Sequence, residues 1–331
     1  KTGERVKEFE KKMSKFIGTK YAKATSSGTT ALHLSLLSLG VSKNDEVILP
    51  SYVCQSLLNA INYTKAKPVL SDIQDDYLEL GFNISLDTIK PLVNKNTKVI
   101  IVPHLFGVPA DIESIVEFAN KHNITVIEDC AQSIGAEYKD KPLGHYGHLS
   151  VFSFYASKVI STGQGGMVLT SIPKLKEKLI DLTTYDNREE YKPTLNYTLT
   201  DIQAALGIKQ LEKLSKLIDR RREIGEKYHN VFKNEEKIKL ANYEKGFPFR
   251  YIITLKNSEQ RDELKNKLKE KGIDSELPFK IPTHKYLNLP LENFKNSEQA
   301  FEACLSIPIY PSLTDEEVNY VIKIVKESLR E

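Results

Sequence analysis

Two hydrophobic periods alternate along the first half of the chain. Apolar runs of five or six residues read as strands: Tyr21–Thr25 (YAKAT), Glu46–Pro50 (EVILP), Pro68–Asp72, Lys98–Pro103, Ile124–Asp129, Leu149–Phe154 and Gly166–Ser171. Between most of them, apolar residues recur at helical spacing, over Thr29–Leu39, Tyr52–Asn62 and Asp111–His122. Short strands alternating with helices predict an α/β fold, a seven-stranded, mainly parallel sheet sandwiched by helices. The last two runs follow each other with no helix between them, so one of the pair is expected to run antiparallel. From Thr200 to Tyr228 a helical pattern continues, with Thr200 as N-cap and Asp201 in the first turn. As a single helix rising ~1.5 Å per residue, it is long enough to bridge two domains. The pattern then changes to a strand in FPFRYIITL, a helix in SEQRDELKNKLKEKG, the Pro-rich LPFKIPTHKYLNLP and two further helices. This divides the chain into a large domain, 1–232, which includes the bridging helix, and a smaller C-terminal α+β domain, 233–331. No internal repeat or low-complexity segment interrupts the pattern.

Composition narrows the class. The 331 residues are 40% hydrophobic, ample for a large core and in keeping with two domains. Basic and acidic residues number 47 and 44, and they are interspersed. That balance argues against nucleic acid or an anionic membrane as the main partner. No apolar run approaches ~18 residues, so no membrane span is expected. Cys54, Cys130 and Cys304 are odd in number and far apart. They offer neither a disulfide framework nor zinc spacing, no metal is expected, and the pattern suits a reducing cytoplasm. No signal peptide is visible; because the sequence opens on Lys1 rather than methionine, some N-terminal residues are expected to precede it.

In an open parallel sheet, ligands sit beyond the carboxyl ends of the strands. After the first strand, Ser26, Ser27, Gly28, Thr29 and Thr30 lead straight into an apolar helix. Gly28 allows close backbone approach and the helix start offers free N–H groups, a ready phosphate site; a plain Ser/Thr N-cap is the other reading. After the fifth strand, Asp129 stands where the chain leaves the sheet. A carboxylate there calls for a cation nearby, or else it caps the next short helix. After the sixth strand, whose end holds Ser153, comes Lys158, followed by a glycine cluster at Gly163, Gly165 and Gly166. A lysine packed at a sheet edge serves as a nucleophile toward carbonyls; an arbitrary lysine is more often a solvated loop residue. Each signal is weak alone. Together, a phosphate cradle, a carboxylate after one strand and a lysine after the next are the three anchors that pyridoxal 5′-phosphate needs.

The segments SSGTTALHLSL, IEDCAQSIGA, FSFYASKVISTGQGG and NYTLTDIQAALGIKQLEKL, in that order, resemble the DegT/DnrJ/StrS family. These are sugar aminotransferases of the fold-type I pyridoxal phosphate enzymes. The likeness also takes in HLFGVPADIESI and SIPIYPSLTDEEVNYVI, and so covers nearly the whole chain. It implies Lys158 as the Schiff-base lysine and Asp129 as the partner of the pyridinium nitrogen. Gln132 falls near the ring hydroxyl, and Gly28, Thr29 and Ser153 at the phosphate. Asn196 matches an asparagine that reaches the phosphate of a neighbouring subunit, which implies a homodimer with shared active sites. His284 matches a region near the neighbour's substrate; a surface histidine in a Pro-rich loop is an equal reading. The implied reaction moves an amino group from L-glutamate to a keto sugar carried on a nucleotide. The cofactor alternates with pyridoxamine 5′-phosphate, as ping-pong kinetics require.

Three departures from the family pattern bear on substrate. Where members place an aromatic residue to stack on the cofactor, this chain has Cys54, with Tyr52 two residues earlier. Either Tyr52 supplies the ring or a smaller contact replaces it. Gln164 stands for a glutamate between the glycines, and Thr198 for an arginine. Lys192, Arg188 and Lys280 are basic residues available to a diphosphate. Lys158 itself argues against the family branch that has histidine there and dehydrates sugars. Two rivals stay open: a fold-type I lyase or cysteine desulfurase, which needs a mobile cysteine, and a cofactor-binding regulator without turnover.

Overall fold

The computed structural model describes residues 3–184 and 189–330. Five strands open the chain: β1 (Tyr21–Thr25), β2 (Glu46–Pro50), β3 (Lys67–Ser71), β4 (Thr97–Pro103) and β5 (Thr125–Asp129). A two-residue hairpin, β6 (Glu137–Tyr138) and β7 (Lys141–Pro142), precedes β8 (Leu149–Ser153) and β9 (Gly166–Thr170). Seven of these strands form one sheet in the order β1-β9-β8-β5-β4-β2-β3. All neighbours are parallel except β9, which runs antiparallel to both β8 and β1. The expected sheet is therefore present, and β9 is its one reversed strand.

Every residue of β2 and β9 is buried, as expected for strands covered on both faces. The helix Gly28–Ser38 buries most of its circumference, including Ala31, Leu32, Leu34 and Leu36, and packs against β8 and β9. The N-terminal helix Glu4–Ile17 is amphipathic instead, burying Val6, Phe9, Met13 and Ile17 at helical spacing.

The pattern from Thr200 to Tyr228 is not one helix. It forms two, Asp201–Leu211 and Leu214–Phe232, separated at Glu212 and Lys213. Lys213 N donates to Gln210 O at 3.0 Å, closing a tight turn. The first helix buries Ala204, Gly207 and Ile208 near the ring of Phe9. The second begins in the same cluster, through Leu214 and Ile218, and then turns Ile224, Tyr228 and Phe232 into a different cluster around a second sheet. That sheet is antiparallel, ordered β10 (Lys239–Leu240), β11 (Tyr251–Thr254), β12 (Cys304–Ile307). The helices Ser258–Glu270 and Asp315–Arg330 supply Leu264, Leu268, Val318 and Val325 to the same cluster. Among the described residues no helix is long and apolar enough to cross a membrane.

The two sheets meet at a backbone crossing. Phe249 N donates to Phe106 O at 3.0 Å, and Phe247 N to Gly107 O at 3.3 Å. The contact is too close for side chains. A Cβ added at Gly107, whose φ is +86°, would lie 2.0 Å from Phe247 O, and one added at Gly246 would lie 2.0 Å from Gly107 O. Gly246→Ala must push these strands of backbone apart, so we expect a loss of about 2–4 kcal/mol. Thermal unfolding should register it as a fall of several degrees in Tm, where a surface Gly→Ala change would leave Tm almost unmoved.

Candidate active site

The site is assembled where β5 and β8 end. Asp129 pairs in register with Val151, so Ser153 projects two residues further toward the same edge. Beside them the helix Gly28–Ser38 begins. Ser27 closes a capping box there: its hydroxyl accepts from Thr30 N at 3.1 Å, and Thr30 Oγ1 accepts from Ser27 N at 2.9 Å. Gly28 and Thr29 occupy the first turn, where N–H groups have no intrahelical partner and the helix end carries positive character. A Cβ at Gly28 would lie 2.8 Å from Ser153 Cβ and 3.0 Å from its hydroxyl oxygen. Glycine is what lets the helix start and Ser153 stand this close, forming a cradle for a phosphate.

Past Ser153 the chain folds back in a closed loop. Phe154 N donates to Gly165 O, Thr162 N to Phe154 O and Lys158 N to Tyr155 O, each at 2.9 Å. The loop aims Lys158 over a cavity of 330 Å³. Gly28, Thr29, Cys54, Asp129, Ser153 and Lys158 line it, joined by Ser56, Tyr155, Ser157 and Gln164. Lys158 Nζ sits 5.3 Å from the centre of the Phe249 ring. Burial pushes the Lys158 ammonium pKa below its ordinary value; Cys54 and Asp129 oppose that shift, and Arg250 adds to it. Burial also raises the Asp129 carboxyl above its usual range, against the Ala131 N–H at 3.0 Å and the charge of Lys158. Both shifts have the same leading cause, the loss of water around a charged group.

Other residues singled out from sequence lie elsewhere. Tyr52 does not supply a ring to the cavity. Val53 N bonds to Ser51 O in a tight turn, and Tyr52 is fully buried among Phe82, Phe106 and Phe279. Cys54, half-buried at the N-cap of the helix Gln55–Tyr63, is the residue of this loop that reaches the cavity. Gln132 accepts from Phe106 N at 3.0 Å and so holds the loop that makes the crossing. Asn196 is exposed, its Oδ1 accepting from Thr198 Oγ1 at 3.1 Å.

His284 is no surface histidine. It is fully buried, with Nδ1 2.5 Å from Ser51 Oγ, Nε2 2.9 Å from Glu298 Oε1 and its ring stacked on Phe294. It clamps the segment after Pro282 to the loop after β2, and Thr283 N donates to Ser51 O beside it. Of the basic residues, Lys192 pairs with Asp181, Lys280 is exposed, and Arg188 lies outside the described residues. Sequence reasoning passed over Tyr155 and Ser157, though both stand beside Lys158 in FYASK, and over Ser56, two residues after Cys54. It also passed over Arg250, next to the crossing of the two sheets, whose charge acts on Lys158.

The cavity fits pyridoxal 5′-phosphate on its own terms. The cradle is one that a Cβ would fill, a half-buried lysine amine faces it, and a buried carboxylate stands at the neighbouring strand end. Fold and site together define a pyridoxal phosphate-dependent transferase. The sequence profile of the DegT/DnrJ/EryC1/StrS aminotransferase family matches residues 1–326. The chain is 34% identical over 336 residues to GDP-perosamine synthase of Escherichia coli O157:H7, covering 98% of this chain and 90% of that protein. The crystal structure of DesV from S. venezuelae superposes with a TM-score of 0.92 at 29% identity, covering 99% of this chain and 90% of that one. NtdA from Bacillus subtilis, solved with bound pyridoxamine phosphate, gives 0.90 at 28% identity, covering 100% and 78%. The chain belongs to the DegT/DnrJ/EryC1/StrS family and is a pyridoxal phosphate-dependent aminotransferase.

Two outcomes follow from this geometry. Gly28→Ala should weaken binding of pyridoxal 5′-phosphate about tenfold or more, while pyridoxal, lacking the phosphate, binds both proteins alike in an absorbance titration. His284 sets an acid limit. Burial lowers its pKa in the folded protein, outweighing the opposing effect of Glu298, and Lys285 adds to the lowering. The unfolded chain therefore takes up the proton first, and stability falls as pH drops below about 6.5 toward the folded value. Thermal unfolding at pH 7.5 and 5.5 should show a smaller difference for His284→Gln than for the parent protein.

Proposed function

We propose that the chain transfers the amino group of L-glutamate to a keto sugar carried on a nucleoside diphosphate, as a step in making an amino sugar for a polysaccharide. The observation that carries this reading is the placement of the Lys158 amine and the Asp129 carboxylate on one cavity, at the ends of adjacent parallel strands. The relatives support the sugar: the name GDP-perosamine synthase contains a nucleotide-linked sugar, and that of the Bacillus subtilis relative, spore coat polysaccharide biosynthesis protein SpsC, a polysaccharide.

When bound, pyridoxal phosphate supplies an aldehyde carbon that captures amines and a ring that accepts the electron pair left behind when a proton departs. The chain's residues supply the rest. Gly28, Thr29 and Ser153 hold the phosphate. Asp129, buried where β5 ends, would hold a proton on the ring nitrogen and so keep the ring electron-poor. Lys158, its pKa lowered by burial, has more of its amine neutral near pH 7 than a surface lysine. Its Nζ serves as nucleophile and then takes a proton from one carbon and returns it to another. Leu32 and Val151 give the cavity apolar wall, which limits water. The donor leaves as a 2-oxo acid before the keto acceptor enters, so kinetics are ping-pong.

Two copies of the chain share their sites in this reading, with Asn196 reaching the neighbour's phosphate. Its exposure is in keeping with that role, as are Tyr191 and Ile202 nearby, 94% and 85% exposed. We place the reaction in the cytoplasm, where three unpaired cysteines are at home. A desulfurase needs a cysteine on a mobile loop: Cys304 is fully buried at the start of β12, its thiol pKa pushed up to about 12 by burial, and Cys54, which lines the cavity, is fixed at the N-cap of the helix Gln55–Tyr63.

Lys158→Ala tests the assignment. Borohydride treatment should fix the cofactor to the parent protein, as added mass on the peptide holding Lys158, and leave the variant unlabelled; labelling of the variant elsewhere would sink it. Incubating the parent protein with glutamate and keto sugars on different nucleoside diphosphates should release 2-oxoglutarate and amino sugar in equal amounts. A protein that only binds the cofactor releases neither.

A further inference from the structure

A second cavity, of 610 Å³, opens beside the first, and Ser157 lines both. Arg221 lines it, a buried cation with no carboxylate to meet it among the described residues. Arg221 NH1 donates to Phe249 O at 2.9 Å and Ile309 O at 2.8 Å, while its Nε is buried and without a partner. Burial alone lowers its pKa, to about 10. Buried charge in this state is costly until an anion arrives. Phe249 links the two sites: its ring lies 5.3 Å from Lys158 Nζ and 5.6 Å from Arg221 Cζ. The next residue, Arg250, also lines this second cavity. Its own partner is weak, an exposed Glu276 carboxylate 3.6 Å away.

We propose that Arg250, on backbone held by Arg221, forms with it the subsite for the amino donor's carboxylate. This rests on the amino-transfer reading above and adds where the donor is gripped. Two anions are candidates for such a site, the donor's carboxylate and the acceptor's diphosphate. Distance favours the first. The donor's carboxyl carbon and its reacting nitrogen are attached to the same carbon, so its anchor must lie close to Lys158; a diphosphate is separated from the keto carbon by the sugar. Arg250 is near enough for its charge to act on Lys158. Charge favours it too: Asp274 and Glu317 stand exposed on the same cavity and repel a diphosphate more strongly than a single carboxylate.

Glutarate, a dicarboxylate with no amine to react, probes the site without turnover. Calorimetric titration into the protein, before and after cofactor loading, should give an affinity that Arg250→Ala lowers about 10- to 100-fold and Arg250→Lys lowers less. In the assay, Arg250→Ala should raise the KM for glutamate by a similar factor and leave the KM for the keto sugar nearly unchanged. Unaltered glutarate affinity in a folded Arg250→Ala protein overturns the proposal. So does a rise confined to the keto sugar's KM, which assigns the cavity to the diphosphate. If no donor is turned over at all, the amino-transfer reading fails while the glutarate titration still decides this one.

Discussion

A buried carboxylate and a half-buried ammonium share one cavity at the carboxyl ends of the central strands of the main sheet. Neither Asp129 nor Lys158 is cheap to bury as an ion, and burial pushes both pKa values toward the neutral forms. Their attraction offsets part of that cost, as does the Ala131 N–H to Asp129. The position of Asp129 depends on β5 pairing in parallel with β4 and β8. That of Lys158 depends on the loop closed by Phe154, Thr162 and Gly165. Beneath them a second buried pair steadies the same strand end. Glu128 accepts from Gly144 N, Gly147 N and His104, and His104 in turn accepts from Ala110 N. With its other nitrogen accepting, His104 donates to Glu128 through Nε2, so this pair is fully used in hydrogen bonding.

Much of this was legible in the sequence because strands buried on both faces announce themselves locally. A short apolar run such as EVILP or ITVIED, closed by proline or aspartate, has few alternatives once helical stretches flank it. The bounds read for all seven strands of the main sheet agree with the structure to within one residue. Gly28, Ser153, Asp129 and Lys158 were accessible for the same reason, since each stands at the end of such a run. The break at Glu212–Lys213 was not. No proline or glycine marks it, and Leu211, Leu214 and Leu217 keep the helical period through the turn. Burial does not mark it either: Ile208 before the turn and Leu214 and Ile218 after it share the Phe9 cluster, and the packing partner changes only between Ile218 and Ile224.

The places of the residues expected near the substrate were illegible for a related reason. Tyr52 and Cys54 follow the same strand, and nothing in SYVC states which of them turns inward; the turn at Ser51–Val53 decides it. His284 sits in a Pro-rich loop that composition marks as exposed, yet Ser51, Glu298 and Phe294 enclose it. Asp72 makes a similar long-range join, accepting from the amides of Asn296 and Ser297. The contacts at Ser51 and Asp72 link segments more than 200 residues apart, and no periodicity within either segment encodes them.

The division has a physical logic. Anchoring a cofactor of fixed shape asks for rigid elements, and the main sheet supplies them through local rules that leave a local trace. Admitting one donor and one acceptor asks for surfaces brought from elsewhere in the chain. Here they arrive through a backbone crossing at Gly107 and Gly246 that tolerates no side chain, and through clamps at Ser51 and Asp72. The crossing fixes Phe249 against Lys158, and Phe249 in turn carries Arg221 on the far side of its contacts. A change of substrate therefore need not touch the cofactor anchors. Cys54 and Gln164, departures from the family pattern that bear on substrate, line the cavity and Arg250 its neighbour, and none of them lies in the strands that hold Asp129 and Ser153.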